Sequence, residues 1–432
     1  MTVGPGPRWA VLAVGAVAAA TVIGPPAGLA LTLTACALFA VTARRRDPWS
    51  VAYRLLAVAL AGVATLRAAG WVVAPSLLAA VALAALAAAG GAGWRQVAAG
   101  LVPRTARDAL RVPLALRPRG ALTAAGIGAA LLAVFVPLFA SADAAFAHLL
   151  GELVPDDAVD DPVARLAVWL AFALVGGALL SARPAKPSAP GTPRLTRLEW
   201  AAPLGALVAL FAAFVALQLT ALYGGHDHVL RTAGLTYAEY AREGFAQLLA
   251  AAALTLAVIA AAVRWTPAGR LRTALLGALC LLTLAVLASA LTRLGLYMDA
   301  YGFTRLRLSA QATILWLGGA FVLILVARGA AWLPRATVAL SGAALLAFAV
   351  SDPDLRIAER NVDRYERTGR IDTEVLRGLS ADAAPALVRL PPALADATTS
   401  RIRFRLERGD GIAGLNLGRA RARDALAVPS PG

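Results

Sequence analysis

The stretch TALLGALCLLTLAVLASALT, residues 273–292, decides the fold class of this chain. It carries no charged residue, and a helix of roughly 20 such residues, rising about 1.5 Å per residue, crosses the hydrocarbon core of a bilayer. Similar runs recur along the chain, which is 59% hydrophobic over 432 residues. Soluble proteins are closer to half apolar. The sequence therefore predicts an all-α, polytopic helical membrane protein.

The apolar runs define a predicted organisation of about eleven transmembrane helices and a small helical C-terminal extracytoplasmic domain. The runs lie at 8–23, 27–43, 51–68, 70–90, 121–141, 163–182, 199–222, 244–263, 273–292, 309–328 and 336–351. The predicted N-terminal membrane region, 1–183, has about six spans and is followed by a cytoplasmic Pro-rich linker, 184–198. The predicted C-terminal membrane region, 199–351, has about five spans and is followed by an extracytoplasmic tail, 352–432.

Charge predicts the orientation of the spans. The net charge is +16, and most of the arginines between spans fall in alternate loops, such as residues 94–119. Loops rich in Lys and Arg stay in the cytoplasm. Residues 142–162 carry six acids and no base, as suits the opposite side. We therefore expect a multi-pass protein of a bacterial plasma membrane, with a cytoplasmic N-terminus and an extracytoplasmic C-terminus. Because the arginines flank spans, the charge does not indicate a nucleic-acid partner.

Several kinds of site are missing from the sequence. No carboxylate or histidine lies near the centre of a predicted span, which disfavours a proton relay. The phosphate-cradling P-loop, HExxH and GxSxG motifs are absent. His226, Asp227 and His228 come nearest to a metal site, but a structural zinc needs about four ligands. The sequence predicts no catalytic residue, no metal and no cofactor.

Two predicted outer loops share one inventory of side chains, at 223–243 and 294–308. Each offers at least two tyrosines, at least one acid and at least one arginine. One interpretation is a set of interfacial tyrosines and local ion pairs. The other is an outer-face polar cluster that binds a head group, sugar or peptide, because tyrosine stacks and arginine binds phosphate. The candidate residues are Tyr237, Glu239, Tyr240, Arg242, Tyr297, Asp299, Tyr301, Arg305 and Arg307.

The tail is too polar to span a membrane and reads as short helical units. We expect Asp354 to cap a helix that ends at Gly369, Asp372 to cap a second, and Ser380 to cap a third through Arg389. The alternation in RIRFRLERGDG, residues 401–411, allows a short strand. The arginines of the tail suit outer-leaflet phosphates or an anionic envelope polymer, or form a solvated basic surface.

Three stretches carry a family resemblance: GLTYAEYAREGFAQLL at 234–249, LYMDAYGFTRLRL at 296–308 and IAERNVDRYERTGRIDTEVLRGLSADAAPAL at 357–387. They resemble an integral membrane family abundant in actinobacteria, the domain-of-unknown-function 4153/4173 group. The resemblance implies a multi-span protein with an extracytoplasmic helical tail, and it does not indicate a particular activity. This chain has Val375 where the family often has Tyr. The tail residues that match the family pattern are Asn361, Arg364, Tyr365, Asp372, Ser380, Asp382 and Pro385.

The sequence leaves three functions open, of which a non-enzymatic one is favoured. The first is a cell-envelope binding or scaffold protein that uses its outer loops and tail. The second is a transporter of a lipid-like or weakly polar solute. The third is a membrane-embedded transferase with Asp299 or Glu239 as base. The expected partners are the lipid bilayer and an anionic lipid or envelope polymer; the sequence identifies no protein partner.

Overall fold

The computed structural model describes residues 27–41, 46–89, 195–223, 245–407 and 409–428, with individual residues between 127 and 146. Within these ranges the protein is helical and contains no strand. The helices are α1 Leu29–Val41, α2 Pro48–Leu66, α3 Gly70–Ala89, α4 Arg197–Tyr223, α5 Phe245–Trp265, α6 Arg270–Tyr301, α7 Arg305–Ala327, α8 Leu333–Val350, α9 Pro353–Thr368, α10 Thr373–Arg377, α11 Ala384–Leu387, α12 Pro392–Leu406 and α13 Leu417–Leu426.

Seven helices of the described ranges, α2 to α8, are long and apolar enough to cross a membrane. Each coincides with an apolar run of the sequence. The chain is thus a multi-pass membrane protein. The prediction of about eleven spans stays a prediction, because the runs at 8–23 and 163–182 lie outside the described residues and 121–141 is described only in part. The run at 27–43 forms the 13-residue α1, which is not one of the seven candidate spans.

The contacts divide the chain into two compact units. One comprises Met1–Pro103, Tyr301–Trp316 and Ala330–Gly432, and the other Arg104–Ala300 and Leu317–Gly329. In the second unit the described core includes stacked phenylalanines: the ring centroids of Phe139 and Phe214 lie 4.2 Å apart.

In the first unit α1, α3 and α8 pack against α2. Leu60 of α2 and Leu83 of α3 are buried in one apolar cluster, against which Val338 and Leu345 of α8 pack. Gly342 allows α8 to come close, because a Cβ there would lie 3.0 Å from Leu83 Cδ1. Small residues at helix crossings are typical of membrane proteins.

The tail begins directly after α8 and folds back through Asp352, whose φ of 55° is left-handed. Aspartate is one of the few residues that adopts this conformation. Pro353 then opens α9, which ends at Gly369 with a φ of 68°. Ile357 and Val362 of α9 pack with Leu376, Leu387, Ile402 and Leu406 into a buried apolar core of the tail's own short helices.

Three expectations for the tail need correction and two are confirmed. Residues 401–406 belong to helix α12 and not to a strand, since Ile402 and Leu406 are buried one helical turn apart. Ser380 precedes a 3-10 turn, Ala381–Ala383, and the short α11, so no helix runs through to Arg389. Asp354 does not cap α9. The end of α9 at Gly369 and the cap by Asp372, which accepts from the amides of Glu374 and Val375, are confirmed.

Candidate functional site

A fully buried carboxylate, that of Asp354, joins three parts of the first unit. Arg305 at the start of α7 donates from Nε at 2.9 Å and from Nη2 at 2.6 Å. The indole of Trp71 on α3 donates at 3.0 Å, and the backbone amide of Ser380 at 2.8 Å. A two-pronged arginine–carboxylate pair is both strong and directional. Asp354 therefore fixes α3 and α7 to the tail.

A second arginine, Arg67, binds the end of α8. It lies in the turn of residues 67–69 between α2 and α3, here called the α2–α3 turn. Its guanidinium donates to the carbonyls of Ala349 and Val350 and pairs with Asp352. A cation suits the C-terminus of a helix, where the last carbonyls lack intrahelical donors. Arg67 thus ties this turn to the point where the tail begins.

The carboxylate of Asp382 binds backbone amides of the same α2–α3 turn. Its Oδ2 accepts from the amides of Ala68 and Ala69 at 2.8 and 2.9 Å, and from the hydroxyl of Ser380 at 3.0 Å. Gly418 lies directly beneath the carboxylate, and a Cβ there would overlap Asp382 Oδ1. The close approach of α13 therefore requires glycine at this position.

Two asparagines dock the tail on two different turns. Asn361 donates to the carbonyl of Phe303 at 2.8 Å and accepts from its amide at 3.1 Å. Phe303 lies in the turn of residues 302–304 between α6 and α7, here called the α6–α7 turn. Asn416 donates to the carbonyls of Ala64 and Arg67, both at 2.8 Å. It also caps α13 by accepting from the amide of Arg419. Each asparagine side chain bonds to backbone groups, so these contacts do not depend on the side chains of the turn.

The segment 413–415 reaches the start of α1. The amides of Leu29 and Ala30 donate to the carbonyls of Leu415 and Ala413 at 3.1 and 3.0 Å. These amides belong to the first turn of α1, where a helix offers no acceptor of its own. The tail thereby supplies the missing acceptors, and it contacts the ends of α1, α2, α7 and α8.

The acids around Arg67 have perturbed proton affinities. Burial, and then the charge of Asp382, raise the pKa of Asp352 to about 6, although Arg67 opposes the shift. Burial also raises the pKa of Asp382, against the hydrogen bonds from Ser380 and the amides of Ala68 and Ala69. Asp352 Oδ1 and Asp382 Oδ1 are buried and have no hydrogen-bond donor among the described residues. The positive charge of Arg67 therefore has to offset two buried acids, Asp352 and Asp382.

The predicted outer-face polar cluster is divided by the described ranges. Tyr237, Glu239, Tyr240 and Arg242 lie outside them, as do His226, Asp227 and His228. The binding role of the cluster stays a prediction.

Of the described members, Arg305 takes part in the Asp354 network. Arg307 donates to the carbonyls of Tyr301 and Gly302 and so closes the end of α6. Tyr297 packs on Phe245, with ring centroids 6.4 Å apart. Asp299 is exposed in the last turn of α6 and makes no hydrogen bond or ion pair with another described residue. Arg305 thus pairs with Asp354 rather than with its near neighbour Asp299.

The residues of the predicted tail motif mostly hold the tail together or dock it. Asn361, Ser380 and Asp382 belong to the docking contacts, and Asp372 caps α10. Tyr365 packs against the apolar core of the tail, and Pro385 lies in α11. The Nη1 of Arg364 lies 3.5 Å from the carbonyl of Arg370.

Five residues of the docking contacts were not singled out as site residues: Arg67, Trp71, Asp352, Asp354 and Asn416. Arg67 carried a signal, because it is an isolated arginine in an apolar stretch and on the side predicted to be poor in bases. The acids of SDPD, residues 351–354, follow directly after the last span, where a chain that turns back onto the membrane needs polar ties.

Within the described ranges, no three side chains of His, Cys, Asp or Glu come together in a way that would hold a metal ion. Both oxygens of Asp354, and Oδ2 of Asp382, accept hydrogen bonds from the protein itself. The arrangement can therefore hold the tail and the ends of the spans together through buried hydrogen bonds and ion pairs. We call Arg67, Trp71, Arg305, Asp352, Asp354, Asn361, Asp382 and Asn416 the docking clamp.

The fold and the clamp define a multi-pass membrane protein whose C-terminal helices are tied to the ends of its spans. Residues 29–390 match the family model described as domain of unknown function (DUF4153), and the chain belongs to that family. The expectation from the loop and tail stretches is thereby confirmed. No curated protein and no solved structure matches the chain.

Proposed function

We propose that this protein is a cell-envelope binding or scaffold protein of a bacterial plasma membrane, in which the spans anchor the tail and the tail carries the binding surface. The observation that supports this most directly is the Asp354 network, in which one buried carboxylate gathers α3, α7 and the tail. Ties of this kind cost desolvation, and their benefit is a defined geometry. A scaffold needs that geometry to present its surface in one orientation.

The surface that we propose for binding is basic. Arg401 and Arg405 lie one turn apart on the exposed face of α12, on either side of Phe404, which is 61% exposed. Arg356 and Arg360 are likewise exposed, one turn apart on α9. None of these four guanidiniums is in an ion pair with a described residue. Unpaired arginines attract phosphates, so the proposed partner is an anionic polymer of the envelope.

The test measures binding of soluble poly(glycerol phosphate) to the full chain in nanodiscs of zwitterionic lipid. We expect the double variant R401Q/R405Q to weaken binding by about tenfold, or about 1.4 kcal/mol. The matched control is R377Q/R389Q, which removes the same charge from arginines already paired with Glu374, Asp363 and Glu366. Equal losses in both variants would mean that only net charge matters. Binding to anionic vesicles but not to the polymer would overturn the polymer as partner.

The orientation belongs to the same proposal, with the N-terminus in the cytoplasm and the tail outside. Ser400 is exposed on α12, and the chain has two native cysteines, Cys36 and Cys280. In a Cys36→Ala, Cys280→Ala background, we expect S400C to react with a membrane-impermeant maleimide in intact cells. Reaction only after the cells are opened would place the tail in the cytoplasm and refute an envelope role.

A transporter of a lipid-like or weakly polar solute is the second candidate. The observation that favours it is a groove of about 400 Å³ that three spans of the first unit line. A transporter must release its solute on the opposite side of the bilayer. Movement of a fluorescent lipid between leaflets of proteoliposomes, faster than in protein-free vesicles, would favour this candidate over the scaffold.

A further inference from the structure

A groove lies between α3, α7 and α8 on the first unit. Trp71 and Pro75 line it from α3, Trp316 from α7, and Ala344 and Phe348 from α8. Its volume of about 400 Å³ lies within the range of roughly 300–1,000 Å³ found for small-molecule sites. All three helices are candidate membrane spans, so the groove lies in the membrane-spanning part of the first unit.

Most side-chain donors of the groove are already used by the protein; the hydroxyl of Ser309 is the exception among the described lining residues. The hydroxyl of Thr313 donates to the carbonyl of Ser309 at 2.8 Å, and that of Ser341 to the carbonyl of Thr337 at 2.9 Å. The indole of Trp316 in turn donates to the Ser341 hydroxyl at 3.1 Å. With most of its donors used internally, the groove offers a mainly apolar surface. Its natural occupant is therefore an apolar chain.

One end of the groove carries a positive charge. Arg305 precedes Ser309 of the groove wall by one helical turn, so both lie on the same face of α7. Its Cζ lies 5.4 Å from the ring centroid of Trp71, and its side chain is 37% exposed. Asp354 engages Nε and Nη2, and among the described residues Nη1 has no partner. A guanidinium in this state still has donors for a phosphate.

The length of the groove suits part of an acyl chain. From Ser309 to Trp316 the groove follows seven residues of helix, or about 10 Å along α7. It thus runs from the end of the spans on the tail side into the membrane. A phosphate at Arg305 lies at the level of the head groups, and a chain below it lies in hydrocarbon.

We propose that this groove, with Arg305 at its end, is a binding site for one phospholipid of the leaflet on the tail side. One acyl chain occupies the groove, and the phosphate accepts from Arg305 Nη1. The bound lipid touches Trp71 and Arg305, which are both members of the docking clamp. The site uses neither Arg401 nor Arg405, so it stands or falls independently of the polymer-binding surface.

The test uses native mass spectrometry of the full chain purified in detergent. Ala344 lines the groove, whereas Ala343, its neighbour on α8, is exposed. We expect the wild type and A343F to retain one phospholipid, and A344F, whose ring fills the groove, to lose it by about tenfold. Far-UV circular dichroism checks that both variants are folded. Equal retention in A344F and the wild type, or equal loss in both variants, overturns the site.

A second measurement tests the phosphate contact. The delipidated protein is titrated with phosphatidylglycerol and with diacylglycerol that carries the same acyl chains. We expect phosphatidylglycerol to bind at least about tenfold more tightly, because only it carries a phosphate for Arg305. Equal affinities would refute the role of Arg305, and absence of saturable binding of either lipid would refute the site as a whole.

Discussion

The α2–α3 turn and the α6–α7 turn are both docked by an asparagine amide and an aspartate–arginine pair, but their pairs differ. At the α6–α7 turn, Arg305 binds Asp354, a carboxylate that also accepts from Trp71 and Ser380. At the α2–α3 turn, Arg67 binds Asp352, which has a buried oxygen without a donor among the described residues and faces the acid Asp382. The Arg305–Asp354 pair therefore has a hydrogen-bond donor for each carboxylate oxygen, whereas the strength of the Arg67–Asp352 pair depends on pH.

The largest effect is expected for D354A, because it removes the acceptor that three elements share. The indole of Trp71 and the amide of Ser380 lose their acceptor together with Arg305, and each donor left unpaired in a buried site costs about 1–3 kcal/mol. We expect a lower melting temperature in detergent and rapid proteolysis of the tail. The control is D363A on the same helix, whose exposed pair with Arg389 is worth less than about 1 kcal/mol. Similar losses in both variants would contradict the special role of Asp354.

The next effect is expected for G418A. The added Cβ would overlap Asp382 Oδ1 and would lie 3.2 Å from the amide of Ala68, so α13 must move away from the α2–α3 turn. Overpacking of this kind costs about 1–3 kcal/mol. Hydrogen exchange of the Ala68 and Ala69 amides should accelerate. In G378A the nearest atom is an ordinary 3.4 Å away, so we expect little change. Unchanged exchange in G418A would show that the contact is not tight.

The docking role of Asn416 can be separated from its capping role by N416D. Aspartate still caps α13 but cannot donate to the carbonyls of Ala64 and Arg67, which then lose their partner. A buried acceptor left unpaired costs about 1–3 kcal/mol. We expect faster exchange at the α2–α3 turn with unchanged exchange in α13. The parallel variant N361D should act at the α6–α7 turn instead, and loss of both turns in either variant would contradict two separate docking points.

The last effect is expected from pH, and it is confined to the range in which Asp352 titrates. Because the pKa of Asp352 is about 6 in the folded protein and about 3.9 in an unfolded chain, the folded state binds the proton more tightly. The contribution of Asp352 to stability is therefore greatest below about pH 4 and falls as the pH rises to 6. We expect D352N to lose this part of the pH dependence of the melting temperature. Identical pH profiles for D352N and the wild type would show that Asp352 does not titrate in this range.

The fold class and the positions of the spans followed from the sequence, because an apolar run of sufficient length has one stable arrangement in a bilayer. Asp372 and Gly369 were likewise predictable as helix boundaries, since capping depends only on neighbouring residues. The strand at 401–411 was wrong for the opposite reason: burial of Ile402 and Leu406 against the tail core outweighed the local alternation.

The candidate site was only partly predictable. The stretch around Arg305 and the tail motif with Asn361 and Asp382 were recognised as important, but their partners were not. Arg305 had a closer acid in sequence, Asp299, and binds Asp354 instead. Such choices depend on which side chains the packed helices bring together, and no local pattern encodes the pairing of residues 49 positions apart.

The sequence by itself determined that this protein crosses a membrane many times and ends in a polar helical tail, because hydrophobic length and helix caps act locally. Only the tertiary structure decided that the tail is docked on the ends of the spans, and that Arg67 and Arg305 are docking residues rather than exposed charges. The physical reason is that a buried ion pair is worth keeping only when several donors converge on one acceptor, and convergence is a property of packing.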